Sequence, residues 1–90
     1  MRIGIAGLGT IGKTLALELA DGIPGLTLAC VAARDEETAR GWLDEEGIEA
    51  PVVALAEFPQ HCDLAVECAP AAILDTVSYT HLTLPTILRV

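Results

Sequence analysis

Gly7-Leu8-Gly9-Thr10-Ile11-Gly12 is the stretch that decides the fold of this 90-residue chain. It directly follows an apolar run at residues 3–6 and leads into a helical pattern from Ile11 to Ala20. A strand, a glycine-rich turn and a helix in this order place the pyrophosphate of a dinucleotide on a helix N-terminus. Gly7 would allow the tight turn, Gly9 the approach of the phosphates to the backbone, and Gly12 the close packing of the helix on the strand.

The motif is weak by itself, because glycine-rich turns without a ligand are common between strands and helices. Its position strengthens the interpretation. A second apolar strand, at residues 26–32, ends about 20 residues after Gly12, where a ribose-binding residue belongs. We therefore predict an α/β fold, a Rossmann-like parallel sheet with flanking helices. It is incomplete, since 90 residues supply only the N-terminal half.

The exit of the second strand bears on the choice of cofactor. The position about 20 residues past Gly12 is Ala32 rather than an acid, and Arg34 follows it. A guanidinium there can pair with a ribose 2′-phosphate, which favours NADP or dual use. Asp35 keeps NAD open, because its carboxylate can accept from ribose hydroxyls. Its alternative role is the N-cap of the next helix.

The remaining pattern predicts further elements. In the first helix Ile11, Leu15 and Leu19 would face the sheet, while Lys13 and Glu18 reach water. The other predicted elements are a helix at 36–46 that packs Ala39, Trp42 and Leu43, a short strand at 52–53, a helical turn at 55–58, a loop at 59–63, a strand at 64–68 and a helix start at 69–72.

The predicted strand order is 3-2-1-4, which places the strand at 64–68 beside the first strand, where the cofactor crosses the sheet. Backbone groups at Glu67, Cys68 and Ala69 would then face the ribose and nicotinamide side. For the Glu67 side chain we expect a structural or solvent-facing role.

Composition excludes several classes of protein. The formal net charge of −8 argues against nucleic acid, whose phosphates require a basic face. No apolar run approaches the ~20 residues that span a membrane, and the N-terminus does not resemble a signal peptide. Cys30, Cys62 and Cys68 are odd in number and lack metal-site spacing. We therefore expect no metal, no nucleic acid or membrane partner, and a reducing cytoplasmic location.

The composition changes after Thr76. Residues 77–86, Val-Ser-Tyr-Thr-His-Leu-Thr-Leu-Pro-Thr, contain no acid, although acids are frequent before them. A transposon-type sequencing-library adapter, when translated, reproduces this run codon by codon. We therefore expect the native sequence to end near Thr76 and residues 77–90 to be a non-native tail. Tyr79 and His81 are accordingly set aside as acid–base candidates.

Four stretches together resemble the N-terminal domain of the L-aspartate dehydrogenase family, over nearly all of residues 1–76. They are Met1-Arg-Ile-Gly-Ile-Ala-Gly-Leu-Gly-Thr-Ile-Gly12, Gly22-Ile-Pro-Gly-Leu26, Val31-Ala-Ala-Arg-Asp35 and Val66-Glu-Cys-Ala-Pro-Ala-Ala72. The resemblance implies oxidative deamination of L-aspartate with NAD or NADP. The product is iminosuccinate, which hydrolyses to oxaloacetate and ammonia or feeds NAD biosynthesis.

The resemblance also implies where the cofactor lies. Its pyrophosphate would contact Gly7, Leu8, Gly9, Thr10, Ile11 and Gly12, its adenosine ribose Arg34 and Asp35, and its nicotinamide end Cys68, Ala69 and Pro70. The family's catalytic histidine and most substrate contacts belong to a later domain that is absent here. We therefore expect the chain alone to be inactive, and the full-length protein to be a homo-oligomer that binds the amino acid.

Other assignments remain open. Homoserine dehydrogenases and dihydrodipicolinate reductases are similar at a coarse level. A nucleotide-sensing module would need the glycine motif but no substrate domain. An oxidoreductase acting on sugars or diaminopimelate precursors is a third alternative.

Overall fold

The computed structural model describes residues 1–68 and the backbone of a strand at 86–89. The strands are β1 (Arg2–Ala6), β2 (Thr27–Ala32), β3 (Leu64–Glu67) and β4 (Thr86–Arg89). The helices are α1 (Thr10–Gly22), α2 (Glu36–Glu45) and α3 (Phe58–His61), and a 3₁₀ turn at Leu55–Glu57 precedes α3. The predicted helix start at 69–72 lies outside the described residues.

The strands form one parallel sheet in the order β2-β1-β3-β4. Beyond β2, a single parallel bridge joins Val31 to Val52. The Val31 N–H donates to the Pro51 carbonyl at 2.9 Å, and the Val53 N–H donates to the Val31 carbonyl at 2.8 Å. The predicted order of the first four segments is therefore confirmed, although the third is a bridge rather than a strand. β1 lies at the centre, so its carboxyl end is flanked by β2 and β3.

Helix α1 packs on one face of the sheet, but the side chains that it buries differ from those predicted. Its buried residues are Gly12, Ala16 and Leu19, which meet Ile3 and Ile5 of β1 in one core cluster. Ile11 is 54% exposed, so its predicted contact with the sheet is wrong. It lies one residue, about 100° around the helix, from Gly12. Because small residues let the helix approach the sheet closely, the buried face centres on Gly12 and Ala16.

Helix α3 covers the opposite face of the sheet. The Phe58 ring is fully buried and packs beside Gly4, where an added Cβ would meet Phe58 Cε2 at 2.9 Å and Cys62 Sγ at 2.7 Å. The predicted loop at 59–63 is partly wrong, because Pro59 lies in the first turn of α3, where its missing N–H is tolerated. Cys62, at the end of α3, is consequently buried.

Cys30 and Cys62 flank the same position on β1. A Cβ at Gly4 would lie 3.0 Å from Cys30 Sγ, and the Cys62 thiol donates to the Phe58 carbonyl at 3.3 Å. Burial raises the pKa of the Cys30 thiol to about 12 and also raises the pKa of Cys62. Both side chains are therefore neutral, apolar core groups at physiological pH.

Candidate functional site

The glycine-rich turn lies at the carboxyl end of the central strand. Gly7 has a φ of 105°, a conformation that a side chain would strain, and its N–H donates to the Ala32 carbonyl of β2 at 2.7 Å. On the other side, the Cys68 N–H donates to the Ala6 carbonyl at 2.9 Å. Hydrogen bonds to both neighbouring strands therefore fix the turn where the three strands end.

Gly12 fixes the first turn of α1 against this loop. A Cβ on Gly12 would lie 2.0 Å from the Gly7 carbonyl oxygen, far closer than two such atoms can approach. It would also lie 3.5 Å from Cys68 Cβ, just beyond β3. Only glycine therefore allows this contact between the helix and the turn.

Gly9 has a different environment. It is the N-cap of α1, with extended backbone angles that any residue adopts, and no side chain caps the helix. Within the described residues, a Cβ on Gly9 would meet no heavy atom within 4 Å. The first turn of α1 contains no acid. The open N-terminus of α1 therefore presents backbone N–H groups and the positive end of the helix dipole to an anion.

A cleft of about 350 Å³ begins at this turn and continues over the exit of β2 to α2. Its lining residues are Gly7, Leu8, Gly9, Lys13, Ala33, Arg34, Asp35, Thr38, Ala39 and Trp42. The cleft thus connects the open N-terminus of α1 to a largely apolar recess with two cationic side chains. This arrangement suits a ligand with phosphates at one end and an aromatic base at the other.

Asp35 is the N-cap of α2, which was one of the two roles predicted for it. Its Oδ1 accepts from the Thr38 N–H at 3.1 Å, and its Oδ2 accepts from the Thr38 hydroxyl at 2.8 Å. These bonds from the Thr38 backbone and side chain lower the pKa of Asp35. Both carboxylate oxygens therefore serve the helix.

We expect the Asp35 cap to make stability depend on pH below about pH 4. Because its pKa is lower in the folded state, the cap stabilises fully above the unfolded pKa of about 3.9 and is lost as pH falls through the folded value. The difference in urea midpoint between wild type and Asp35→Ala should be constant from about pH 5 to 8 and shrink towards pH 3.

Asp35→Asn is the control, because its amide oxygen caps a helix without titrating. Its advantage over Asp35→Ala should survive at pH 3. A difference between wild type and Asp35→Ala that stays unchanged down to pH 3 would contradict the argument.

The structure brings most of the predicted site residues together. Gly7, Leu8, Gly9, Arg34 and Asp35 line the cleft, and Thr10, Ile11 and Gly12 form the first turn of α1 beside it. Cys68 follows β3 on the other side of the turn. Ala69 and Pro70 lie outside the described residues.

Five residues of the cleft were not predicted as site residues, namely Lys13, Ala33, Thr38, Ala39 and Trp42. Lys13 was expected to reach water, but it is half-buried, with its Nζ 5.6 Å from the centroid of the Trp42 ring. Trp42 was expected only to pack, and Thr38 was not considered. The available signal was spacing, because Thr38 and Trp42 lie four residues apart and so share one face of α2.

The end of β3 is buried, although it carries an acidic residue. The Glu67 side chain is buried, so a solvent-facing role is wrong. Next to it, burial and then the Glu67 charge raise the pKa of the Cys68 thiol, which keeps the thiol neutral.

The described residues contain no group of three or more His, Cys, Asp and Glu side chains arranged to hold a metal. Across the same residues, no helix is both long and apolar enough to cross a bilayer.

The parallel sheet, the glycine turn and the cleft together define the nucleotide-binding part of a Rossmann-fold protein. No protein-family model matches the chain. Over 76 residues the chain is 41% identical to L-aspartate dehydrogenase 3 of Bordetella bronchiseptica, covering 83% of this chain and 28% of that protein. It is 38% identical over 79 residues to an L-aspartate dehydrogenase of Bradyrhizobium diazoefficiens, covering 86% of this chain and 27% of that protein.

Solved structures show the same fold. Scyllo-inositol dehydrogenase of Lactobacillus casei, solved with NAD(H) and scyllo-inositol, superposes with a TM-score of 0.64 at 26% identity, over 79% of this chain and 22% of that one. UDP-N-acetylglucosamine 3-dehydrogenase of Acidithiobacillus ferrooxidans gives a TM-score of 0.73 at 21% identity, over 99% and 28%. By its sequence relatives, the chain belongs to the L-aspartate dehydrogenase family, and it spans under a third of their length.

Proposed function

We propose that this chain binds NAD or NADP and is the cofactor-binding portion of an enzyme that oxidatively deaminates L-aspartate. The observation that carries the cofactor assignment is Gly9, which caps α1 beside the cleft and has no packing reason to be glycine among the described residues. A phosphate that must contact the backbone supplies such a reason. The positive φ of Gly7 and the tight contact at Gly12 complete a cradle that fits a pyrophosphate.

The cleft would hold the pyrophosphate and the adenosine, and the chain after β3 would lie towards the nicotinamide. The N–H groups at the start of α1 would bind the pyrophosphate, Arg34 would lie at the adenosine ribose, and Cys68 with Ala69 and Pro70 would lie towards the nicotinamide. A bound nicotinamide would supply hydride-acceptor chemistry: the Cα of L-aspartate would lose a hydride and its α-amine a proton, which together give the imine of iminosuccinate. The residues of this chain would bind and orient the cofactor.

The choice of L-aspartate follows from sequence similarity. Identity to the two L-aspartate dehydrogenases is 41% and 38%, against 26% to the scyllo-inositol dehydrogenase. Assay of the complete protein, expressed from source DNA resequenced beyond codon 76, tests this substrate, because reduction of NAD or NADP should then depend on L-aspartate. Activity with scyllo-inositol instead would favour a sugar oxidoreductase. We propose that the chain alone is inactive.

The first prediction for the cofactor concerns Gly9→Ala. We expect it to weaken binding of NAD and NADP at least about tenfold, because its Cβ occupies the space through which the pyrophosphate reaches the backbone. Isothermal titration calorimetry of the purified chain measures the dissociation constants. The fold should persist, since Gly9 has extended backbone angles and loss of a glycine cap costs at most about 1 kcal/mol.

Gly41→Ala is the matched control. Gly41 lies within α2, where an added Cβ would also meet nothing within 4 Å among the described residues, and it does not line the cleft. Its substitution should leave nucleotide affinity unchanged and raise stability by about 1 kcal/mol through helix propensity. Equal affinities of Gly9→Ala and wild type would overturn the proposed phosphate site.

We also propose that residues 77–90 are not native to this protein. The pairing of β4 with β3 is compatible with this proposal. The unpaired backbone groups of an open sheet edge can hydrogen-bond to a strand of almost any sequence. Independent resequencing of the source DNA across codon 76, from a library made with different adapters, tests it. Recovery of the same codons for residues 77–90 would refute the foreign origin.

Location and assembly are the last parts of the proposal. The described cysteines, Cys30, Cys62 and Cys68, are all free thiols, which supports a reducing cytoplasmic location. We propose that the whole enzyme is a homo-oligomer, which light scattering of that protein tests.

A further inference from the structure

The positive charges of the described side chains fall into two groups. Arg2 pairs with Asp63 at 3.0 Å, and Arg40 pairs with Glu36 at 3.6 Å. Within residues 1–68, Lys13 and Arg34 form no salt bridge, although the chain has a net charge of −8. Both line the same cleft. Among the side chains of residues 1–68, the Lys and Arg cations without a carboxylate partner therefore line one recess.

Trp42 determines where the Lys13 charge lies. Lys13 is half-buried on α1, one residue after Gly12, and its Nζ lies 5.6 Å from the centroid of the Trp42 ring on α2. A cation over an indole face is attracted by the ring electrons. The contact joins α1 to α2, and both residues line the cleft.

Asp35 is the acid that could oppose this charge at the same end of the cleft. Both of its oxygens accept from Thr38, at 3.1 and 2.8 Å, and so serve the cap of α2. In domains that bind unphosphorylated ribose, the acid after the second strand accepts from the ribose hydroxyls. Here that acid is engaged with Thr38, while a lysine and an arginine face the recess.

We propose that Lys13 and Arg34 together form a subsite for a 2′-phosphate on the adenosine ribose, and that Trp42 is the positioning residue for Lys13. This inference rests on the proposed binding of an adenine dinucleotide and specifies which one: the cleft selects the 2′-phosphorylated form. Arg34 offers a planar, bidentate donor to phosphate oxygens, and Lys13 offers a compact point charge. Two cations match the charge of a phosphate monoester, which is −1.5 to −2 near neutral pH.

Two nucleotides that differ mainly in the 2′-phosphate test the proposal. The probes are adenosine 2′,5′-bisphosphate and adenosine 5′-monophosphate, and calorimetry with the purified 90-residue chain gives both dissociation constants. We expect wild type to bind the bisphosphate at least about thirtyfold more tightly, since two charge-assisted contacts are added. Lys13→Met and Arg34→Met should each reduce this ratio about tenfold, because each removes one charged contact to the 2′-phosphate.

Matched variants separate a specific role from a general one. Arg40→Met removes a cation of α2 that does not line the cleft, and it should leave the ratio unchanged. Lys13→Arg should retain most of the ratio, and Lys13→Gln provides a second neutral side chain if the methionine variant does not fold. Trp42→Leu should lower the ratio and Trp42→Phe should largely restore it, because only an aromatic face holds the ammonium.

Three outcomes would overturn the inference. Equal affinity of wild type for both nucleotides would refute the 2′-phosphate subsite and leave the dinucleotide assignment standing. Equal loss of both ligands in Lys13→Met would place Lys13 at the 5′-phosphate instead. Failure of both nucleotides to bind would refute the dinucleotide assignment and the subsite with it.

Discussion

Gly12→Ala is expected to destabilise the chain by at least about 3 kcal/mol, at the upper end of the usual cost of overpacking. The new Cβ would lie 2.0 Å from the Gly7 carbonyl oxygen. That oxygen belongs to a backbone held by the bond from the Gly7 N–H to Ala32 at 2.7 Å, so it cannot move aside without breaking strand contacts. Relief therefore requires α1 to move away from the sheet, which exposes the core around Ala16 and Leu19.

Urea unfolding followed by circular dichroism measures this loss. Gly41→Ala is again the control, because the same chemical change in open space should stabilise the chain rather than destabilise it. Gly12→Ala should also lose nucleotide binding, whereas Gly9→Ala loses binding with little loss of stability. An unfolding midpoint for Gly12→Ala within experimental error of wild type would show that α1 is free to shift.

Phe58→Ala is expected to cost about 3–5 kcal/mol, because it empties a fully buried site that α3 fills beneath β1. A domain has only about 5–15 kcal/mol of total stability, so the variant should be largely unfolded or barely folded at room temperature. The Phe58 ring packs directly beside Gly4, which has no side chain to fill the cavity.

The same denaturation experiment tests this second prediction. Phe58→Leu should recover more than half of the loss, because it restores most of the buried volume. Leu17→Ala controls for the removal of an apolar side chain, since Leu17 is 42% exposed and its truncation should cost under about 1 kcal/mol. Similar losses for Phe58→Ala and Leu17→Ala would contradict the assigned core.

The order of the sheet and the place of the turn were predictable from the sequence. The apolar runs at β1, β2 and β3 are short and bounded by glycine, proline or polar residues, and the glycine spacing has a mechanical reason at Gly7 and Gly12. The Asp35 cap was also predictable, because an acid immediately before a helical pattern favours that role. Local chemistry is enough for such features.

The set of side chains buried beneath each helix was not predictable in the same way. Apolar periodicity gives large side chains more weight than small ones, so it assigned Ile11 to the sheet although the contact belongs to Gly12 and Ala16. The burial of Cys62 depends on α3, a four-residue helix whose proline favoured a loop. No periodic signal identifies so short a helix.

The candidate site likewise contains residues that were predictable from the sequence and residues that were not. Its glycines, Arg34 and Asp35 follow from positions relative to the strands, and the structure places them together in the cleft. Lys13 and Trp42 come from different helices, α1 and α2, and their approach depends on how both helices pack on the sheet. The pattern of each helix taken separately predicts that Lys13 reaches solvent and that Trp42 packs on the sheet.

The buried thiols beside Gly4 can also be used to measure how often α3 separates from the sheet. Cys30 and Cys62 are almost fully shielded from solvent, and burial raises the pKa of both, so alkylating reagents cannot attack them in the closed protein. Labelling at these two positions must await transient separation of α3 from the sheet, and its rate reports the free energy of that opening. Mass spectrometry of iodoacetamide-treated protein would therefore measure how often α3 separates from the sheet, without any introduced probe.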